Sequence, residues 1–231
     1  FIFSAQQLFR GYLLLTGIEN TPWIEKHQLL NIGSLAVIAF YFLLTIAFSV
    51  VVTWRKELAL REYSLTDHLT GWYNRKALEV FANKELKRCI RNDTQLAFIV
   101  FDIEHFKSVN DQFGHILGDK AIAHVTAIAK QQLREYDQYF RLGGEEFAVL
   151  VSHISGQDVE LLAQRIRKSV AKTPLILDDE TVYLTVSVGV AMLNPQETSW
   201  QTVLKRADDA LYRSKHQGRN QVTSCGDLAK I

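Results

Sequence analysis

Three acidic residues lie next to apolar segments, where a buried charge needs a partner. Asp102 closes the apolar run Leu96–Ile103, and Glu145 and Glu146 follow a Gly-Gly pair. Burying such acids is costly unless their charge is compensated. Mg²⁺ suits this role, because it prefers carboxylate oxygens and completes its shell with water and substrate phosphates. If the two segments form neighbouring strands, Asp102 and Glu145 converge; otherwise these are exposed acids at strand ends.

The Gly143-Gly144 pair carries no side chains, so a flat ligand or a partner backbone can approach it closely. A plain hairpin turn accounts for the pair equally well.

Amide and acid side chains that can read the edge of a base are concentrated between Asn110 and Asp119. Gly114 permits a tight turn within this segment. Asp119 also falls in the first turn of a predicted helix, where the helix dipole favours an acid. Helix capping alone therefore explains Asp119 as well as ligand binding does.

Four residues could bind phosphate: Lys107, and a cluster after the last long helix that contains Lys215, Gly218 and Arg219. A solvated charged surface is the alternative.

Hydrophobic periodicity predicts the elements that must position these residues. Their order, α-β-α-β-β-α-β-α-β, mixes hairpins with helical crossovers and therefore predicts parallel and antiparallel strand pairs in one sheet. The predicted elements are a helix from Asn74 to about Ile90, strand Leu96–Ile103, helix Leu117–Arg134, two strands within Tyr139–Ser152, helix Val159–Val170, strand Val182–Leu193, helix Trp200–His216 and strand Asn220–Thr223.

The combination of these segments resembles the GGDEF family of diguanylate cyclases, over about residues 65–223. Gly143–Phe147 reads Gly-Gly-Glu-Glu-Phe and is similar to the family signature. Trp72 and Glu104 depart from the family pattern, where Leu and Asp are usual, at positions that are not principal metal ligands. The other similar blocks, in order, are Asp67–Arg75, Phe101–Lys107, Asn110–Asp119, Ser187–Val190 and Ala207–Asn220.

The resemblance implies an α/β fold with a mixed sheet, like the palm of nucleotide polymerases, and the condensation of two GTP into cyclic di-GMP and two pyrophosphates. It implies that Asp102, Glu145 and Glu146 are catalytic. Mg²⁺, with Mn²⁺ as an alternative, would be bound by Asp102, the carbonyl of Ile103 and Glu145. An acidic group or a metal-bound water would take the proton of the attacking 3′-hydroxyl.

The resemblance also assigns the substrate-binding residues. Each domain binds one GTP, so the product forms between two domains and the active enzyme is expected to be a homodimer. Guanine is assigned to Asn110 and Asp119, the phosphates to Lys107, Lys215 and Arg219, and the rest of the pocket to Phe106, His115, Gly143 and Gly144.

A site for the product is implied by Arg134 and Asp137, which match the family's inhibitory R-x-x-D pattern before the Gly-Gly pair. An arginine fork suits phosphate or the Hoogsteen edge of guanine. Arg165 lies where the family often has a further contact to this ligand. A salt bridge at a helix end is the alternative for Arg134 and Asp137.

An uncharged apolar run from Gln28 to Trp54 is long enough to cross a membrane. Basic residues after it, Arg55, Lys56 and Arg61, favour the cytoplasmic side. Hydrophobic residues seven apart across the end of this run predict either helix pairing or an ordinary helical linker. These are Val51, Leu58 and Leu65.

These features predict four segments and a place in the cell. We expect an uncertain segment at 1–28, either the end of an earlier span or an extracytoplasmic region. A transmembrane helix at 29–54, a helical linker at 55–65 and a GGDEF domain at 66–231 then follow. The protein would lie in the cytoplasmic (inner) membrane, with its catalytic domain in the cytoplasm.

Composition excludes some function classes. A formal net charge of +1 over 231 residues argues against a general nucleic-acid binder, which carries a basic excess. Cys89 and Cys225 have no metal-ligand spacing and are expected to be reduced thiols.

Three other functions are compatible with the sequence. A receptor for GTP or cyclic di-GMP that has lost turnover usually has a damaged signature, which is intact here. A membrane sensor or scaffold with an incidental cyclase domain would dimerise without turning over GTP. A cyclase that makes cyclic AMP is disfavoured by Asn110 and Asp119, which suit guanine.

Overall fold

The structure is a computed structural model that describes residues 26–63, 65–177 and 180–225, together with 8, 11, 12, 15 and 16. Contacts divide the chain into two units, Phe1–Ser64 and Leu65–Ile231, which we describe separately. Most of the predicted segment 1–28 lies outside the described residues.

One continuous helix, α1 (Lys26–Tyr63), dominates the first unit. Within it, the 25 residues Gly33–Glu57 have a mean hydropathy of 2.7 and are long and apolar enough to cross a membrane. The predicted heptad depends on Leu58, whose side chain lies outside the description.

A six-stranded mixed sheet forms the centre of the second unit, in the order β1-β3-β4-β2-β7-β8. The β1–β3 and β7–β8 pairs are parallel and the other pairs are antiparallel, so the predicted mixture is confirmed. A separate hairpin joins β5 and β6. The strands are β1 (Tyr73–Asn74), β2 (Leu96–Ile103), β3 (Gln138–Gly143), β4 (Glu146–Ser152), β5 (Leu175–Leu177), β6 (Glu180–Val182), β7 (Val186–Met192) and β8 (Val222–Cys225).

Five helices cover the two faces of this sheet. Two of them, α2 and α6, pack on one face, and α3, α4 and α5 pack on the other, which gives two hydrophobic cores. The central strand β2 is buried along its full length because both faces are covered. The helices are α2 (Arg75–Asn92), α3 (Phe106–Phe113), α4 (His115–Lys130), α5 (Gly156–Lys172) and α6 (Trp200–His216).

Local chemistry sets the ends of α2. Asn74 caps its first turn by accepting a hydrogen bond from the main-chain N–H of Ala77 at 3.1 Å, as the sequence predicts. Asp93 ends the helix in the left-handed conformation, with φ of 50°.

Gly189 allows α6 to lie directly on β7. A Cβ atom at this position would stand 2.1 Å from the carbonyl oxygen of Ala207 and 2.3 Å from the amide nitrogen of Leu211. Because both are helix backbone atoms, α6 could not stay in place. The glycine therefore fixes the distance from α6, which carries Lys215, to the sheet.

The sequence prediction differs from the structure in several places. The predicted helix Leu117–Arg134 is α4 and ends at Lys130, because the amides of Gln132 and Leu133 bond three residues back. The predicted last strand Asn220–Thr223 is β8 (Val222–Cys225), and the short strands β1 and β5 were not predicted.

The predicted strand Val182–Leu193 is two strands, because residues up to Val182 pair with β5 whereas Val186 begins pairing with β2. Alternation of side chains cannot reveal such a change of partner. The amide-rich segment before Gly114 is a helix, α3, because Phe106 and Val109 pack into the core.

Candidate active site

The Gly143-Gly144 turn places two acids beside the end of β2. Gly144 has φ of 52°, a left-handed conformation that glycine adopts without strain. After the turn, Glu146 lies opposite Asp102 in the β2–β4 pair. The amide nitrogen of Ile103 donates to the carbonyl oxygen of Glu145 at 3.3 Å. The two strands are neighbours, as the predicted convergence of acids requires.

Asp102 is a buried acid in an environment of mixed charge. Its side chain is 8% exposed, and its Oδ1 lies 2.9 Å from the Nζ atom of Lys215. Burial raises the pKa of Asp102 to about 6. Lys215 opposes this rise in pKa, whereas the negative charges of Glu145 and Glu146 add to it. This end of the sheet therefore gathers more negative charge than one lysine neutralises.

A second ion pair lies next to the first. Glu104 is buried, with its side chain 3% exposed, and its Oε2 accepts from the Nε of Arg219 at 2.8 Å. About half of the Arg219 side chain is exposed. Gly218 and Arg219 both have positive φ, which turns the chain sharply after α6 and brings this arginine back to the sheet. Both predicted phosphate-binding cations of this cluster thus lie at the end of β2.

The donor chemistry of this end fits a hard divalent cation. Among the described residues, no three His, Cys, Asp or Glu side chains form a metal site by themselves. The predicted set, however, has two carboxylates and one main-chain carbonyl, and Mg²⁺ sites of this kind are completed by water and substrate phosphates. A divalent cation bound here would compensate the buried charge of Asp102 further than Lys215 alone does.

The predicted guanine-binding residues lie on α3 and α4. A Cβ atom on Gly118 would stand 1.9 Å from Oδ1 of Asn110 and 3.2 Å from the ring of Phe106, so this glycine makes room for both side chains. The Oδ1 of Asn110 is buried and accepts no hydrogen bond from the described residues. Asp119, the next residue along α4, is exposed. An amide, an acid and a ring are thus available beside each other.

Two further predicted substrate-binding residues, Lys107 and His115, are exposed at the first turns of α3 and α4. Their contact with a ligand stays a prediction, as do the roles of the other site residues.

Arg141 and Asp67 hold the Gly143-Gly144 turn, and the sequence did not predict their interaction. The Nη1 atom of Arg141 lies 3.1 Å from both carboxylate oxygens of Asp67. Its Nε and Nη2 atoms donate to the carbonyl oxygen of Gly144 at 3.0 and 2.9 Å. Asp67 is fixed in turn by the amide and hydroxyl of Thr70. The sequence offered only a weak signal for this pair: Asp67 opens the Asp67–Arg75 block, and Arg141 lies two residues before Gly143.

The three residues of the predicted product site also lie near each other. The main-chain N–H of Arg134 donates to Oδ2 of Asp137 at 2.8 Å. Burial raises the pKa of Asp137, and the nearby positive charges of Arg134 and Arg165 oppose that rise. The Arg165 guanidinium donates to the carbonyl oxygen of Gln132. Arg134 and Arg165 are exposed, so both present positive charge to solvent.

Comparison with known proteins identifies the family. The family model described as diguanylate cyclase, GGDEF domain, matches residues 64–221. Diguanylate cyclase DgcP of Pseudomonas aeruginosa is 38% identical over 162 residues, which are 70% of this chain and 24% of that protein. Diguanylate cyclase A of Treponema denticola is 35% identical over 227 residues, 95% of this chain and 57% of that protein. The chain thus spans less than two thirds of these relatives.

Solved structures show the same fold. The GGDEF domain of DgcB from Caulobacter crescentus, solved in complex with c-di-GMP, has a TM-score of 0.68 and 35% identity, covering 70% of this chain and 96% of that one. The active GGEEF domain of a diguanylate cyclase from Vibrio cholerae has a TM-score of 0.63 and 27% identity, covering 71% and 99%. Together with the match over residues 64–221, these likenesses show that the chain belongs to the GGDEF-domain diguanylate cyclase family.

Proposed function

We propose that this chain is a diguanylate cyclase that condenses two GTP into cyclic di-GMP and two pyrophosphates. The observation that carries the proposal is the intact Gly143–Phe147 turn, which lies against the buried acid Asp102. The sequence relatives named diguanylate cyclases and the active GGEEF domain, which has the same variant of the signature, support it.

The chemistry follows from the charges at this end of the sheet. The 3′-hydroxyl of one GTP attacks the α-phosphorus of the other, a phosphorus–oxygen bond to pyrophosphate breaks, and the hydroxyl proton leaves to a carboxylate or to water. Bound Mg²⁺, held by Asp102, Glu145 and the carbonyl of Ile103 with help from Glu146, would stabilise negative charge on the α-phosphate and the leaving group. Mn²⁺ could replace it, because it prefers the same oxygen ligands.

Cations already paired with acids are available for the phosphates. Lys215 and Arg219 pair with Asp102 and Glu104 and can turn to an incoming triphosphate, since each is partly exposed. Lys107, exposed at the start of α3, can add a third positive charge.

Guanine is the base that the α3–α4 region suits. Asn110 and Asp119 offer an amide and a carboxylate, which can pair with the oxygen and the N–H groups of guanine. Phe106 supplies a ring beside Asn110, and His115 is exposed at the first turn of α4. Adenine has neither a carbonyl oxygen nor a ring N–H beside it. These side chains should therefore bind ATP much more weakly than GTP.

The assay of the full chain with Mg²⁺ and either GTP or ATP tests this proposal, with products identified by mass. We expect cyclic di-GMP from GTP, no cyclic product from ATP, and none from a Glu146→Ala variant. A parent chain that binds GTP but yields no product would favour the receptor function instead.

We further propose that the active form is a homodimer in which each copy activates one GTP. When parent chain is mixed with an excess of the Asp102→Asn chain, most parent molecules form dimers with a variant molecule. Such a dimer has only one active metal site and can form only one of the two phosphodiester bonds of cyclic di-GMP. We expect the linear dinucleotide pppGpG to accumulate. If the yield of cyclic di-GMP falls only in proportion to the fraction of parent chain, and no pppGpG appears, the homodimer is contradicted.

We propose that cyclic di-GMP inhibits the enzyme at Arg134, Asp137 and Arg165. The two exposed guanidinium groups beside a buried acid support this, because they can pair with phosphate or the guanine edge. Arg134→Ala should leave the initial rate unchanged and raise the inhibitory product concentration roughly tenfold or more. Unchanged inhibition would leave Arg134 with only its local contacts to Asp137 and Tyr136.

We propose that α1 anchors the protein in the cytoplasmic membrane, with the catalytic unit in the cytoplasm. The apolar stretch Gly33–Glu57 and the basic residues Arg55, Lys56 and Arg61 support this orientation. The full chain should stay with membranes washed at high pH, and protease should cut the catalytic unit only in inside-out vesicles. Release into the aqueous fraction would contradict the anchor.

A further inference from the structure

Helix α2 has an excess of positive charge that the rest of its unit lacks. Between Arg75 and Asn92 there are six basic and two acidic side chains, which gives a formal charge of +4. The whole unit Leu65–Ile231 has 21 basic and 21 acidic side chains, so the rest of it carries a formal charge of −4. Positive charge is therefore concentrated on one helix of a unit that is neutral as a whole.

Four of these cations share one side of α2 with an apolar residue, and we call this side the basic face. Its members follow each other at intervals of three or four residues, which places them above one another on a helix, and all are exposed. The two acids of the helix lie elsewhere, because Glu85 is buried and Glu79 lines a cavity beside α6. The basic face consists of Lys76, Val80, Lys84, Lys87 and Arg91.

The charges of the basic face are largely available to a partner outside the chain. Lys84, Lys87 and Arg91 form no ion pair with any residue that the structure describes. Val80, which is 58% exposed, adds an apolar contact between them. Negatively charged lipid headgroups attract a surface of this kind.

Arg88 is left out of the basic face, although it is exposed on the same helix. Its Nη1 atom lies 3.6 Å from Oε1 of Glu85, and it lines a cavity together with Glu85 and the product-site residue Asp137. This arginine therefore faces the proposed product site.

A short connection joins α1 to α2. Arg75, the first residue of α2, follows Tyr63, the last residue of α1, by 12 residues. Twelve residues of fully extended chain reach at most about 43 Å. A tether of this length holds α2 at a high local concentration near any membrane that α1 crosses.

We propose that the basic face of α2 docks onto the anionic lipid surface of the membrane that holds α1. The cations pair with lipid phosphates, and Val80 enters the headgroup layer. The same lipids repel the negative charge of the remaining unit, so the charge distribution turns this face toward them. The inference rests on the proposed membrane anchor but not on GTP turnover.

The test compares amine acetylation of the full chain in nanodiscs of phosphatidylcholine alone and in nanodiscs that also contain phosphatidylglycerol. Mass spectrometry of peptides gives the rate at each lysine. We expect Lys76, Lys84 and Lys87 to react roughly fivefold more slowly in the anionic discs, and high salt to restore their rates by screening the attraction. Lys120 and Lys168, exposed on α4 and α5 on the other face of the sheet, should react equally in both discs.

Three results would overturn the proposal. Equal rates for Lys84 and Lys87 in the two kinds of disc would show that lipid does not cover this face. Slow acetylation in both discs and in detergent micelles would show that a protein surface, such as a second copy of the chain, covers it. A chain that does not elute with the discs would contradict the anchor and the docking together, whereas elution with the discs without protection would overturn the docking alone.

Two double variants locate the contact. In Lys84→Glu/Lys87→Glu the basic face has no net charge, so Lys76 should lose its slow acetylation in the anionic discs. Lys120→Glu/Lys168→Glu changes the total charge by the same amount and should leave Lys76 protected. Loss of protection in both variants would show that only the total charge of the chain matters, which would overturn the assignment to α2.

Discussion

Asp102 and Asp137 are two buried acids of the GGDEF domain whose surroundings differ. Burial raises the pKa of both side chains, and that of Asp102 reaches about 6. Around Asp102, Lys215 lowers the pKa while two further acids raise it. Around Asp137, a main-chain N–H and two arginines lower the pKa, and no acid acts against them.

The difference shows what each place can bind. The end of β2 concentrates negative charge beyond what its lysine neutralises, so it favours a divalent cation and, with it, a triphosphate. The Asp137 turn is satisfied by its own backbone and leaves arginine charges exposed, so it favours an anion. We therefore expect the same unit to bind a cation at the end of β2 and an anion at the Asp137 turn.

The largest effect should appear when aspartate is replaced by asparagine at each of the two positions in turn. Asp102→Asn should lower GTP turnover roughly 1,000-fold, because it removes a charged metal ligand at the reacting phosphate. Asp137→Asn should leave the initial rate within about twofold of the parent, since its amide oxygen can still accept from Arg134. Initial rates at saturating GTP and Mg²⁺ check both variants, and similar losses in the two would remove the distinction between the sites.

The pH dependence of stability should differ between parent and Asp102→Asn. Because the pKa of Asp102 rises on folding from 3.8 to about 6, the folded state binds more protons between these values. The metal-free parent should therefore lose stability relative to the variant as pH rises from about 4 to about 6, by at most about 3 kcal/mol, and change little above. Urea unfolding of both chains at several pH values measures this difference. If the difference in unfolding free energy between the two chains does not change with pH, Asp102 has the same pKa in the folded and unfolded states.

Arg141 should matter for rate more than for binding. Arg141→Lys removes the fork that joins Asp67 to the carbonyl of Gly144, so the Gly143-Gly144 turn is less well fixed. We expect kcat to fall roughly 10- to 100-fold with KM for GTP nearly unchanged. Asp67→Asn, which keeps the shape of the acid, should show a smaller loss in kcat. A rise in KM alone would place Arg141 in substrate binding.

The smallest effect concerns guanine recognition. Gly118→Ala should push the amide of Asn110 aside and raise KM for GTP roughly tenfold, with kcat retained. Asn110→Ala should do the same, and the double variant should be no worse than Asn110→Ala alone, because both act through one amide. Additive losses would show that Gly118 acts independently of Asn110.

Sequence reasoning succeeded where a local pattern determines the structure. The apolar run Leu96–Ile103 is the strand β2, and Asn74 is the cap of α2, because burial on both faces and capping chemistry leave direct marks in the sequence. The Gly143-Gly144 pair marks the turn for the same reason.

Interactions between distant segments could not be predicted. The Arg141–Asp67 pair joins residues 74 positions apart, and neither residue type marks such a partner. The cavity beside Glu85 is likewise formed by segments that meet only in the folded chain. The predicted strand Val182–Leu193 was wrong, because the chain changes pairing partners without changing its alternation.

The most direct test of the central claim is the stoichiometry of GTP consumption by the full chain with Mg²⁺. Cyclic di-GMP and pyrophosphate should be released in a ratio of one to two by the parent and not by Asp102→Asn. Pyrophosphate without a cyclic product, or equal release by Asp102→Asn, would contradict the role of the β2 end as the site where two GTP molecules are joined.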